Sequence, residues 1–218
     1  MTEKEVMQNS FFEQLEAQRE TDPMIGVKTG ADEIFQRLIL ALKDGENKVN
    51  VDLLLQMASG LAGVACQYIG KQYASARTKQ IDGKEYVYGA EIDNFLLYNE
   101  YSVYGMMAGI FKKLHPDKNV PLPDGVLNNL KKNSTTEGYA VKDLEDPSQY
   151  ITGYCLMYKK FEPIIAKFCK DDDEIPILYA LVLQKCINTA DKAISYEYWF
   201  EFCLENAIYS SRQHLEEL

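Results

Sequence analysis

Histidine is scarce in this 218-residue chain, with two copies, and tryptophan scarcer still, with one. His115 and His214 lie 99 residues apart, and neither belongs to an H-x-x-x-H or E-x-x-H pair. The ligand spacings of helical metal sites are therefore missing, and no metal or cofactor is expected. The five cysteines are Cys66, Cys155, Cys169, Cys186 and Cys203. Their number is odd, no C-x-x-C occurs, and each sits in an apolar helical pattern. That argues against a disulfide framework and for reduced thiols packed as small hydrophobes, which places the chain in the cytoplasm. Seven prolines and thirteen glycines are too few for a collagen-like or low-complexity chain, and 46% hydrophobic residues are too many for disorder.

Positive charge is also in short supply. The 23 basic residues face 33 acidic ones, a net charge of −10, which argues against a non-specific binder of phosphate backbones or anionic lipid. One long uncharged run occurs, residues 53–70, close to the shortest membrane span. It contains Gln56, Ser59, Gln67 and three glycines, so it reads as a buried central helix and no membrane association is expected. The acidic amino terminus has no apolar core, so no secretory signal is expected.

Helical periodicity dominates what is present. It predicts helices over about 3–19, 31–43, 51–77, 91–115, 175–191 and 193–213, and one that Asp146-Pro147 opens and that runs to about 161, where Pro163 kinks or restarts it up to residue 170. Thr29 and Asn50 stand as N-caps for the second and third. Between 79 and 88, partial alternation around Asp82-Gly83 predicts a β-hairpin. Residues 116–147 read as a long proline-containing connection with one short helix near 124–133. The expected fold is a single all-α domain with one small hairpin.

Two patches of small residues mark close helix crossings: Ala58 to Ala65 in the third helix and Gly105-x-x-x-Gly109 in the fourth. A glycine inside a helix costs about 1 kcal/mol against alanine, so close backbone packing must offset it. The spacing predicts that these two helices cross each other.

Known chemical motifs fail on inspection. Gly26-Val27-Lys28-Thr29 has Val27 where a phosphate loop needs glycine. Asp171-Asp172-Asp173-Glu174 lacks the alternation of a calcium loop and reads as a solvated helix start. Glu197, Glu201 and Glu205 form an i, i+4, i+8 stripe, read as a wet face. The helix after the hairpin is more informative. Asn99 interrupts its apolar stripe, with Glu100 beside it and Asp93 and Asn94 one to two turns earlier. Three roles are open to Asn99: a bond that registers a neighbouring helix, a pocket wall, or acid–base work beside Glu100. Fifteen tyrosines add amphipathic surface, including an i, i+4, i+8 ridge of Tyr150, Tyr154 and Tyr158.

Three segments together carry a family resemblance. They are Val49-Asn50-Val51-Asp52-Leu53-Leu54 leading into Ser59-Gly60-Leu61-Ala62-Gly63, then Tyr86-Val87-Tyr88-Gly89-Ala90-Glu91-Ile92, and finally Leu204-Glu205-Asn206-Ala207-Ile208. In order and spacing the chain resembles a family of uncharacterised bacterial cytosolic helical proteins with no assigned activity. The chain departs from that pattern at Ala90 and Asp93, where the family carries Asp and Asn. The resemblance implies a helical fold and a bacterial cytosol, and it implies no reaction.

Two functional expectations result. The first is a non-enzymatic helical protein that forms homo-oligomers or binds a protein partner. The second is a small-molecule-binding protein or enzyme with a polar pocket between the central helices. Its lining would be Asp93, Asn94, Asn99, Glu100, Tyr86 and Tyr88. Nucleic-acid binding would need the basic middle, where ten lysines stand against seven acids over 105–170; that surplus is thin, and none is expected. The last 48 residues carry a net charge of −7, so they are expected to dock on that middle, in the same chain or in a copy.

Overall fold

Asn50 fixes where the central helix begins. Its backbone is extended, and its side chain accepts a hydrogen bond from the Leu53 amide at 3.1 Å, satisfying one of the free N–H groups of the first turn. A computed structural model describes residues 3–81, 83–126 and 148–215. Among them are eight helices and a single two-stranded sheet. The helices are α1 (Glu3–Arg19), α2 (Ile25–Ala41), α3 (Val51–Gly70), α4 (Ala90–Asp93), α5 (Val103–Leu114), α6 (Ser148–Phe168), α7 (Glu174–Ala190) and α8 (Tyr196–Arg212). The expected all-α class is the observed one.

Helix α3 runs through the middle and is buried along nearly all of its length after Leu53. It is long and apolar enough to cross a membrane, yet 83% of its most apolar window is enclosed by the other helices. Its main neighbours are α8 and α7, with α6 on a third side, while α2 and α5 lie against α7. Gly63 allows the closest approach: a Cβ there would stand 2.1 Å from the Ala207 carbonyl oxygen of α8. Gly60 lies under the ring of Tyr154 in α6. The small-residue patch of α3 thus crosses α8 and α6. The expected crossing partner is different: Gly105 packs on the carbonyls of Asn99 and Glu100 in its own approach turn, and Gly109 faces Gln184 of α7. Small residues permit a close approach, but their spacing does not name the helix that makes it.

The hairpin forms as its turn residues predict. Strand β1 (Arg77–Ile81) pairs antiparallel with β2 (Lys84–Tyr88), and Gly83 takes a φ of +77°, a conformation open to glycine at little cost. Asp82 lies outside the described residues. Tyr86 bridges to Gln213, which ties the sheet to the end of α8.

Several boundaries differ from expectation, each for a local reason. Helix α2 starts at Ile25 because Asp22 accepts from the Met24 amide, while Thr29 donates back to the Ile25 carbonyl from inside the helix. Helix α3 stops at Gly70, ahead of the hairpin. The helix expected over 91–115 is two helices. Helix α4 runs into a π-helical turn, Asn94–Tyr98, after which Asn99 is extended and Ser102 caps α5 by accepting from the Gly105 amide. Helix α6 runs through Pro163 without ending. Residues 123–126 are helical, and the rest of the short helix expected near 124–133, with the connection over 127–147, lies outside the described residues.

Candidate functional site

Three of the six residues expected to line a pocket converge on the end of α8, where the Arg212 side chain holds two of them. This residue ends α8 and is 4% exposed. Its Nη2 donates to the Asp93 carboxylate, and its guanidinium lies over the Tyr88 ring, 5.3 Å from the centroid. Tyr86 is buried beside them on the strand that meets Gln213. From α3, the Gln67 side-chain amide donates to the carbonyls of Ser211 at 2.8 Å and Gln213 at 2.5 Å. The arrangement pins the hairpin and α4 to the end of α8. A buried charge of this kind is tolerated because it is paired, stacked on an aromatic face and placed at a helix C-terminus.

The other three behave differently. Asn94 donates to Glu91 at 3.5 Å. Asn99 donates to the Asn94 carbonyl at 2.9 Å and accepts from the Tyr101 amide at 2.8 Å, so its side chain is satisfied within its own turn. Glu100 is exposed. These bonds match none of the three roles open to Asn99: its side chain competes locally with the helix backbone, ending one helix and preparing the next.

Helix α8 is buried over its whole second half, including Glu205, Asn206, Ser210 and Ser211. Glu205 therefore leaves the wet stripe on which its spacing placed it. Asn206 donates to the Gln56 carbonyl at 2.8 Å and to Ser59 Oγ at 2.9 Å, with the Tyr154 hydroxyl 3.3 Å away. This network locks α8 to α3 and α6. Two members of the tyrosine ridge, Tyr154 and Tyr158, are buried, and Tyr150 alone is exposed.

Of the two histidines, His115 joins the carboxylate of Asp191 at 2.7 Å, and the same oxygen accepts from the Trp199 indole at 2.9 Å. Rings of Phe111 and Tyr196 flank the imidazole. This cluster joins the ends of α5 and α7 to the start of α8. Among the described residues, no three His, Cys, Asp or Glu side chains gather where they could hold a metal ion. All five cysteines are free.

An open cleft of about 360 Å³ lies where the end of α3 meets α6 and the start of α7. Tyr68 of α3 stacks on Tyr158 of α6 at 4.9 Å between centroids, and Tyr158 stacks on Tyr179 of α7 at 5.4 Å. Ile69 and Ile175 add buried apolar surface, and Gln72, Lys159, Glu162 and Asp172 supply the polar groups. Burial, with the Cys155 thiol beside it, holds the Tyr68 phenol above its ordinary value; burial raises Tyr158 further. Both phenols are thus neutral at physiological pH, with Tyr158 stacked between its two neighbours and Tyr68 half-buried on the cleft. A second cleft of about 310 Å³ lies between α2, α5 and α7, and the Asp32–Lys185 ion pair borders it. None of the six expected pocket residues lines either cleft.

The sequence carried a partial signal for the tyrosine cleft. Tyr158 and Glu162 stand at i, i+4 on α6, and Asp172 belongs to the acid run before α7. Nothing in the chain pairs Tyr68 with Tyr158, 90 residues away. No family model matches the chain, no curated protein matches it, and no solved structure matches its fold.

Proposed function

We propose that this protein is a non-enzymatic, small-molecule-binding helical protein whose ligand seats in the Tyr68–Tyr158 cleft. One observation carries the reading: two stacked phenol rings and two buried isoleucines make an apolar wall next to four polar side chains. Ligand sites combine these features, a concave apolar surface with a few polar groups that fix orientation. The features that favoured self-association, the small-residue patches and the tyrosine ridge, find partners within the chain. Large apolar side chains that remain exposed, such as Leu40, Tyr98, Leu122 and Leu156, sit on different elements. Free, mostly buried thiols and the enclosure of α3 support a cytoplasmic setting.

The test is an NMR titration of the amide-labelled protein with neutral, cationic and anionic aromatic fragments. At least one class is expected to give saturable shifts clustered at residues 68–72, 158–162 and 172–175. Those shifts should vanish in Gln72→Trp, which fills the cleft from an exposed position. Saturation that is the same in the variant, or absent for every class at millimolar concentration, would overturn the proposal.

A further inference from the structure

We infer that the cleft is built for a small organic cation, an ammonium group on a flat or apolar body. The inference rests on the cleft being a ligand site and adds the ligand's charge. Four observations support it. Tyr68, half-buried on the cleft, stacks one ring face on Tyr158, and its quadrupole attracts a cation lying over the other. The Glu162 and Asp172 carboxylates both border the cleft. Among the described residues, neither forms an ion pair or a side-chain hydrogen bond. Asp173 and Glu174, next in the chain, are by contrast engaged: Asp173 accepts from Tyr73 at 2.6 Å, and Glu174 lies 3.6 Å from Arg19.

Lys159 is the opposing charge on the rim, so the charged lining sums to one net negative charge. The electrostatic preference is therefore modest. Exposed charges are screened, and each carboxylate contributes a few-fold to affinity. The apolar wall supplies the rest through contact with the ligand body. Substituting Lys159 offers an independent check, because removing it should strengthen cation binding where removing an acid weakens it.

Three probes of one shape decide the matter: phenethylammonium, 2-phenylethanol and 3-phenylpropionate, each titrated by NMR at low salt. The expected order of affinity is cation, alcohol, carboxylate, with about a tenfold span from first to last. Glu162→Gln with Asp172→Asn should bring the cation to the level of the alcohol, and Lys159→Met should tighten it a few-fold. All three positions lie on the cleft rim, Glu162 and Asp172 fully at the surface, so these variants leave the apolar core intact. If the alcohol or the carboxylate binds as tightly as the cation, or the neutralised variant binds the cation unchanged, the cation inference fails while the cleft remains a binding site. If none of the three binds, the binding reading fails as well.

Discussion

Gly63 and Ala207 meet backbone to backbone, with the position of a Gly63 Cβ only 2.1 Å from the Ala207 carbonyl oxygen. A carbonyl within a helix cannot swing aside as a side chain would, so α3 and α8 would have to part to admit a methyl group. We expect Gly63→Ala to cost about 1–3 kcal/mol by overpacking. Gly153 in α6 is the control, since a Cβ there meets nothing within 4 Å. Gly153→Ala should stabilise by about 0.5–1 kcal/mol, because alanine loses less entropy in a helix interior. Urea unfolding of the two variants gives shifts of opposite sign if the crossing is correctly placed.

Arg212 and Asp93 should depend on each other unequally. Asp93→Ala leaves a guanidinium that is 4% exposed without its counter-charge. Breaking a fully buried pair costs about 3–5 kcal/mol; the Asp93 side chain is 34% exposed, so about 2–3 kcal/mol is expected here. Arg212→Met combined with Asp93→Leu removes both charges and should cost less than Asp93→Ala alone. Equal losses in the single and double variants, measured by urea unfolding, would show that packing rather than charge governs this corner.

Alkaline pH should weaken the fold. Burial raises the Cys66, Cys186 and Cys203 thiols above their ordinary value, and likewise the phenols of Tyr154, pushed to about 12, and Tyr179. In the unfolded chain thiols ionise near pH 8.5 and phenols near pH 10. Above those values the unfolded state releases protons that the folded state keeps, so ∂ΔG/∂pH is negative. Their contribution is intact below pH 8 and is lost progressively as pH rises through 9 to 12. The urea midpoint is expected to hold from about pH 7 to 8 and then fall. A midpoint that rises between pH 9 and 11 would contradict the burial of these groups.

What could be read from the chain was local. Asn50 capped α3 as its position implied, because an asparagine before an apolar run satisfies amides that are three residues away. Asp82-Gly83 placed the hairpin, since a tight turn needs glycine's positive φ. The break at Asn99 was less legible. Its apolar spacing continued a helical stripe, while its side chain preferred the carbonyl and amide of its own turn.

Helical class, most element positions and the burial of residues 54–70 are legible along the chain, because propensity, capping and periodicity act over a few residues. Packing between distant segments set the crossing of α3 with α8, the burial of Glu205 and Arg212, and the clamp of Asp93 and Tyr88 on Arg212 beside the Tyr86–Gln213 bridge. It also brought Tyr68 and Tyr158 face to face in an open cleft. These outcomes depend on which helix lies against which, a choice made by the fit of whole surfaces that no local pattern along the chain encodes.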